Sequence, residues 1–212
     1  MTPQEVDELM SSKDMRVRLK CARSTDFIPT PEQIERGLTD KSKKVRIAWA
    51  SRKDYTLTHK QIERGLSDKE HDVRIFWALK KDIRFSPRHI EMGLTDGSVT
   101  VRRTWAGRTD FTPTPRHIEI GLLDVFWSVR MDWAKRMDWT PTPRQAERGV
   151  CDESHNVVLA WLERHDVSWT DEQIQRGLTH ENALVRKAWE FIAQKVQQKH
   201  TLYSESIPLM SI

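Results

Sequence analysis

The feature that most constrains this chain is a 28-residue unit that occurs seven times in succession without a gap. Position 16 of the unit is valine in every copy, and six of the nine tryptophans and six of the eight glycines fall at positions 20 and 8. Such regularity predicts one structural unit per copy, which can bury its apolar side chains only against its neighbours. The copies begin at Thr2, Thr30, Thr58, Ser86, Thr114, Thr142 and Thr170.

Each copy has the pattern of two short helices. In the second copy Thr30-Pro31-Glu32-Gln33 has the residues of a helix start with a capping box, and Ile34 and Leu38 lie four apart on the same helix A. Val45 and Trp49 lie four apart on the following helix B. The glycine at position 8 either ends helix A or admits a close neighbour, and we favour the close neighbour. Helices of about eight residues are marginal alone, so stacking between copies must stabilise them.

The sequences VRIAWASRKDYTLT from Val45 and VRRTWAGRTDFTPTP from Val101 resemble the variant leucine-rich repeat, a relative of HEAT-type helical repeats. The resemblance extends to about Gln197 and implies an all-α fold, a right-handed α-solenoid of seven two-helix repeats. Here the unit is a few residues longer than is usual in that family, and tryptophan replaces a small aliphatic residue. There is no cysteine cluster, so no iron–sulfur role carries over. We expect one repeat domain over 1–197 and a non-repeat tail over 198–212, and whether helix A is α or 3₁₀ stays open.

Composition excludes few function classes. The apolar fraction of 37% is low and the charged fraction of 31% is high, which suits an elongated core. A formal net charge of +4 permits a nucleic-acid partner without demanding one. The two cysteines favour a reducing compartment, the N-terminal sequence is unlike a signal peptide, and no apolar run reaches membrane-spanning length. We therefore expect a soluble cytoplasmic protein.

An arginine at position 17 and an aspartate at position 11 recur in most copies. The arginine is lost at Val158 and the aspartate at His180 in the following copy, while Ser12 replaces the aspartate where no copy precedes it. These coincident losses favour a ladder of ion pairs between consecutive copies over a pair within a copy or an aspartate N-cap of helix B. The predicted ladder is Arg18–Asp40, Arg46–Asp68, Arg74–Asp96, Arg102–Asp124 and Arg130–Asp152.

Positions 15, 18 and 22 of helix B face away from the Val/Trp core, on what is commonly the concave surface of such solenoids. Their mixture of apolar and charged residues favours a protein partner, unless position 18 is half-buried core. The loop Val125-Phe126-Trp127 of the fifth copy is apolar where the other loops are polar, so it is either a binding element or local packing. The candidate partner-binding residues are Phe126, Trp127, Arg103, Met131, Asp132, Lys135, Ile75 and Leu79.

Basic residues suggest an alternative, nucleic-acid binding, although they also fit a solvated face. Some cluster in the first two copies, and three occupy position 3 of successive helices A, interleaved with Glu91, Glu119 and Glu147. The candidates are Arg16, Arg23, Lys41, Lys43, Lys44, Arg88, Arg116 and Arg144.

No catalytic or metal-binding pattern is present in the sequence. His89 and His117 share a repeat position, but stacked helices lie about 8–10 Å apart, too far for one metal to bind both. Base-excision enzymes with HEAT-like repeats use an aspartate and tryptophans in a basic cleft, yet here no single acidic residue stands out. We expect no cofactor, no metal and no enzymatic activity, and action on a protein partner by occupancy, as adaptor or inhibitor.

Overall fold

The computed structural model describes the backbone of residues 1–205 and the side chains of residues 1–198. These residues form fourteen α-helices and no strand, two helices per copy, which is the architecture of an α-solenoid. The helices are α1 (Pro3–Ser11), α2 (Met15–Arg23), α3 (Pro31–Leu38), α4 (Lys43–Ala50), α5 (His59–Leu66), α6 (His71–Leu79), α7 (Pro87–Leu94), α8 (Val99–Ala106), α9 (Pro115–Leu122), α10 (Trp127–Ala134), α11 (Pro143–Val150), α12 (His155–Leu162), α13 (Asp171–Leu178) and α14 (Ala183–Glu205).

Helix A of every copy is an α-helix that begins with a capping box. In α3 the Gln33 N–H donates to Thr30 Oγ1 at 3.3 Å, and the Thr30 N–H donates back to Gln33 Oε1 at 3.0 Å. In α7 a histidine replaces the glutamine, and the Ser86 N–H donates to His89 Nδ1 at 3.3 Å. Two otherwise unpaired backbone donors are thereby satisfied at the start of each short helix.

The chain divides into two compact units, one over Met1–Trp105 and one beginning at Ala106. Within the first unit α2 packs on α4 and α4 on α6; within the second, α10 packs on α12 and α12 on α14. The core of each unit includes valines of position 16 and the tryptophans of position 20, and all six of these tryptophans are at most 2% exposed. The predicted stacking through these two positions is therefore present within each unit.

The glycine at position 8 serves close packing and does not end helix A. None of the described glycines has a positive φ, so a left-handed cap is not its role. A Cβ placed on Gly37 would overlap the ring of Trp49, and the same holds for Gly65 and Trp77. The flat indole of helix B therefore lies directly on the backbone of helix A, which only glycine permits.

Helix B of the seventh copy is longer than predicted. It continues as α14 past residue 197 to Glu205, so the first part of the predicted tail is helical. The rest of that tail, 206–212, lies outside the described residues.

Candidate protein-binding surface

In four of the five predicted pairs the arginine at position 17 forms an ion pair with the aspartate of the next copy, and Arg102–Asp124 stays a prediction. Arg46 also donates from Nη2 to Asp68 Oδ1 at 2.7 Å, so that pair is bidentate. The carboxylate hydrogen bond raises the pKa of Arg18, Arg74 and Arg130. The pairs, with their Nε–Oδ2 distances, are Arg18–Asp40 (2.7 Å), Arg46–Asp68 (2.6 Å), Arg74–Asp96 (2.6 Å) and Arg130–Asp152 (2.7 Å).

The position-17 arginine also donates hydrogen bonds to the loop between helices A and B of its own copy. Arg46 Nη1 donates to Asp40 O at 2.8 Å, and Arg102 Nη1 donates to Asp96 O at 2.7 Å. The Asp40 carboxylate in turn accepts the Ser42 N–H at 2.7 Å, and Ser42 is the N-cap of α4. The aspartate is thus not the helix N-cap, and the arginine bridges its own loop to the next copy.

A second set of basic residues, at position 23, was missed in the sequence analysis. Arg52 donates from Nη1 to Ser24 O at 2.6 Å and from Nη2 to Phe27 O at 3.1 Å, both in the preceding copy. It pairs with Asp54 and lies over the Phe27 ring at 4.6 Å. The sequence contains a signal for this set, because each of these basic residues lies two residues before the recurring aspartate of position 25. The set comprises Arg52, Lys80, Arg108, Arg136 and Arg164.

A third network joins consecutive helices A. Gln145 Nε2 and Arg148 Nη1 donate to the two carboxylate oxygens of Glu119 in the preceding copy, at 2.7 and 3.0 Å. These bonds lower the pKa of Glu119, the Gln145 bond contributing most. The glutamine at position 4 and the arginine at position 7 are lost together in the fourth and fifth copies. This joint loss indicates that the two side chains share a partner, and the sequence analysis missed it. The three networks commit most of the recurrent charges to stacking, so partner binding has to use other residues.

Two of the proposed nucleic-acid-binding residues lie beside a carboxylate of a neighbouring copy. Lys43 Nζ pairs with Asp72 Oδ2 at 2.5 Å, and Arg88 Nε lies 3.3 Å from Glu63 Oε1. These two charges are partly neutralised by neighbouring copies. The remaining candidates are exposed: Arg16, Arg23, Lys41, Lys44, Arg116 and Arg144.

The helix-B candidates are not equally accessible. Ile75 and Met131, at position 18, are half-buried, as the core alternative predicted. At position 22 Leu79 is 60% exposed, and Lys135 is exposed as well. Arg103 is exposed and Asp132 half-buried. Position 22 is therefore the part of helix B most open to a partner.

The apolar loop of the fifth copy is exposed. Val125 is 80% exposed, Phe126 50% and Trp127 44%, and the sequence analysis missed Leu123, which is 60% exposed just before them. We call Leu123, Val125, Phe126 and Trp127 the apolar loop patch. Four large apolar side chains within five consecutive residues are unusual on a surface, where such residues normally occur singly.

The backbone under the apolar loop patch is held in place. The Phe126 N–H donates to Asp124 Oδ1 at 2.9 Å, and Arg130 Nη1 donates to Asp124 O at 2.8 Å. Arg130 Nη2 also reaches Glu153 Oε1 at 3.2 Å, which places a charged side chain near the loop. A fixed backbone reduces the entropy lost when a partner binds, and polar residues at the edge fit the rim of an interface.

Among the described residues no group of three or more His, Cys, Asp or Glu side chains could hold a metal ion. Over the same part of the chain, no helix is both long and apolar enough to cross a membrane.

Comparison with known proteins identifies the fold. No protein-family model matches the sequence, and no curated protein matches it. Among solved structures the chain is similar to a leucine-rich repeat variant described as having a novel repetitive structural motif, with a TM-score of 0.66 and 22% sequence identity. The alignment covers 90% of this chain and 71% of that one. The protein therefore has the helical-repeat fold of the leucine-rich repeat variant.

Proposed function

We propose that this protein is a non-enzymatic repeat scaffold that binds a protein partner through the apolar loop patch of its fifth copy. The observation that carries the proposal is the exposure of Leu123, Val125, Phe126 and Trp127 on a loop whose backbone is fixed by Asp124 and Arg130. Large aromatic side chains on a fixed backbone are the usual energetic centres of protein interfaces. Exposed helix-B residues of the same unit, such as Lys135, extend the contact, and the protein acts by occupancy, as an adaptor or an inhibitor.

The fold itself does not require the apolar residues. Phe126 is the N-cap of α10 and makes no side-chain capping bond, and neither does Ser154 at the same position of the sixth copy. The sixth copy has Glu153-Ser154-His155 there and forms the same helix pair. Folding alone therefore does not account for these residues, whereas contact with another protein does.

The alternative is nucleic-acid binding through the exposed basic residues of the first two copies and of helix A. The salt dependence of binding distinguishes the two functions. Binding to a phosphate backbone weakens steeply between about 50 and 200 mM salt, whereas apolar contact does not.

The test is a loop exchange. Val125→Glu, Phe126→Ser and Trp127→His give the fifth copy the loop of the sixth. The matched control, Lys69→Glu with Glu70→Ser, gives the third copy the same loop without touching the patch. Both proteins, and the unaltered one, serve as bait in native cell extract with and without nuclease treatment, at low and high salt.

We expect a protein captured by the unaltered chain and by the control to be lost from the fifth-copy variant at both salt concentrations. Equal capture by all three proteins would refute the role of the patch. Capture abolished by nuclease or by salt alone would favour the nucleic-acid alternative.

A further inference from the structure

A basic groove lies on the helix-B face between the first and second copies. It encloses about 650 Å³ between the end of α2 and helix α4, and Arg23, Lys44 and Lys53 line it. The side chains of Arg16 and Lys20 extend the positive surface along α2, since residues 16, 20 and 23 are spaced i, i+4 and i+7.

These five cations are available to a ligand. Among the described residues no carboxylate lies within ion-pair distance of Arg16, Lys20, Arg23, Lys44 or Lys53, and all five are exposed. This differs from Lys43 in the same helix, which pairs with Asp72. A cluster of like charges without internal partners repels itself, and an anionic ligand relieves that repulsion.

The repeat does not require the cations. In the third to seventh copies position 15 is Asp72, Thr100, Ser128, Asn156 and Leu184, and position 24 is Lys81, Thr109, Met137, His165 and Ala193. Helix B forms in all of these copies. At positions 15, 22 and 24 the first two copies have two lysines or arginines each, whereas no later copy has more than one.

The floor of the groove is apolar and neutral. Ile47 is half-buried and Ala48 buried at its base, and the charge of Arg52 is compensated by Asp54. No aromatic ring lines the groove, so it offers nothing for a nucleobase to stack on. A ligand that fits both the cations lining the groove and its apolar floor carries negative charges on either side of an apolar side chain.

We propose that this groove binds an acidic peptide segment of a protein partner, with an apolar side chain seated on Ile47 and carboxylates paired with Arg23, Lys44 and Lys53. The groove uses none of the residues of the apolar loop patch. It is a second contact surface, independent of the function proposed above.

The test uses defined probes. A fluorescein-labelled peptide with one leucine flanked on each side by three glutamates is titrated with the full chain and followed by fluorescence anisotropy. A second peptide has serine in place of the leucine, and a third probe is a labelled oligothymidylate. The variants are Arg23→Glu with Lys44→Glu and, as the charge-matched control, Lys60→Glu with Lys69→Glu, two exposed lysines outside the groove.

We expect the leucine peptide to bind about tenfold more tightly than the serine peptide, because only the leucine side chain is apolar and is removed from water on the floor of the groove. The groove variant should weaken binding by about tenfold, since it replaces two of the three cations that pair with the peptide's carboxylates by carboxylates that repel them. The control and the loop exchange in the fifth copy should leave binding within twofold of the unaltered chain. Circular dichroism of each variant verifies that it is folded.

Three results would overturn the proposal: no binding of the leucine peptide, equal binding of the two peptides, or equal loss in the groove variant and the control. Tighter binding of the oligothymidylate than of the leucine peptide would also overturn it and assign the groove to nucleic acid. Because the loop exchange affects a different surface, failure of this test leaves the function proposed for the apolar loop patch intact.

Discussion

Gly37 lies against the indole ring of Trp49 so closely that a methyl group on the glycine would occupy the space of the ring. Gly37→Ala should therefore destabilise the protein even though alanine favours a helix by about 1 kcal/mol. Forcing extra volume into a packed core costs about 1–3 kcal/mol, and Trp49 is fully buried. We expect a net loss of up to about 2 kcal/mol in urea unfolding. Gly97→Ala is the control, because nothing lies within 4 Å of a Cβ there.

The first copy differs from the others at both of these positions. It has Leu9 in place of the glycine and Cys21 in place of the tryptophan, so helix A has the larger and helix B the smaller side chain. Gly37→Leu and Trp49→Cys should each destabilise the protein by several kcal/mol, one by overlap and one by a cavity. Together they should cost clearly less than the sum of the two, as measured by a double-mutant cycle. Additive losses would mean that the two positions do not share one space.

Lys80 occupies the position at which the other members of the second set are arginines. Its Nζ donates to Ala50 O at 2.9 Å and lies 3.3 Å from Asp82, whereas Arg52 binds three carbonyls and a carboxylate. Lys80→Arg should provide the fork of donors with which Arg52 binds the preceding copy and stabilise the protein by about 1 kcal/mol. The measurement is the melting temperature, and Arg52→Lys should lower it. A lower melting temperature for Lys80→Arg would contradict this account.

The sequence predicted the fold more completely than the surface. Valine, tryptophan and glycine recur at the repeat positions of Val45, Trp49 and Gly37. This recurrence indicates which helix faces pack, because a side chain repeated from copy to copy has the same surroundings each time. The ladder was predictable for a related reason: Val158 and His180 vary together. The exposure of Leu123 was not predicted, although position 10 is serine or threonine in five of the seven copies, which is the pattern of an exposed position. Whether a particular side chain in the loop is covered depends on loop conformation, which the repeat pattern does not give.

Acid should destabilise the protein partly through His89. The pKa of His89 is lowered from its ordinary value of 6.5, first by burial and then by the neighbouring His59. As the pH falls below about 6.5 the unfolded chain binds a proton that the folded His89 does not, so stability is lost as the pH falls towards the folded pKa. His89→Gln keeps the capping box, since Gln33 and Gln61 form it in other copies.

The measurement is the difference in unfolding free energy between about pH 7.5 and 5. We expect that difference to be smaller in His89→Gln than in the unaltered chain. His155→Gln removes an exposed imidazole and is the control. An unchanged difference in His89→Gln would show that His89 does not contribute to acid sensitivity.

The break in the ladder between the sixth and seventh copies can be repaired by design. Val158 is completely buried where the other copies have arginine. His180 replaces the aspartate, and its Nδ1 accepts the Asn182 N–H at 3.0 Å, just as Asp152 Oδ1 accepts the Ser154 N–H at 2.9 Å. An aspartate at 180 can therefore keep the loop bond and supply a carboxylate.

Val158→Arg alone should cost about 3 kcal/mol, because it buries a cation without a carboxylate partner. His180→Asp alone should lower the unfolding free energy by less than Val158→Arg does, since position 180 is only half-buried. The double variant should recover about 2–3 kcal/mol relative to the sum of the single changes, because the bidentate pair seen at Arg130–Asp152 can form. Urea unfolding of the four proteins measures this coupling, and additivity within about 0.5 kcal/mol would show that positions 158 and 180 are not equivalent to the ladder pairs.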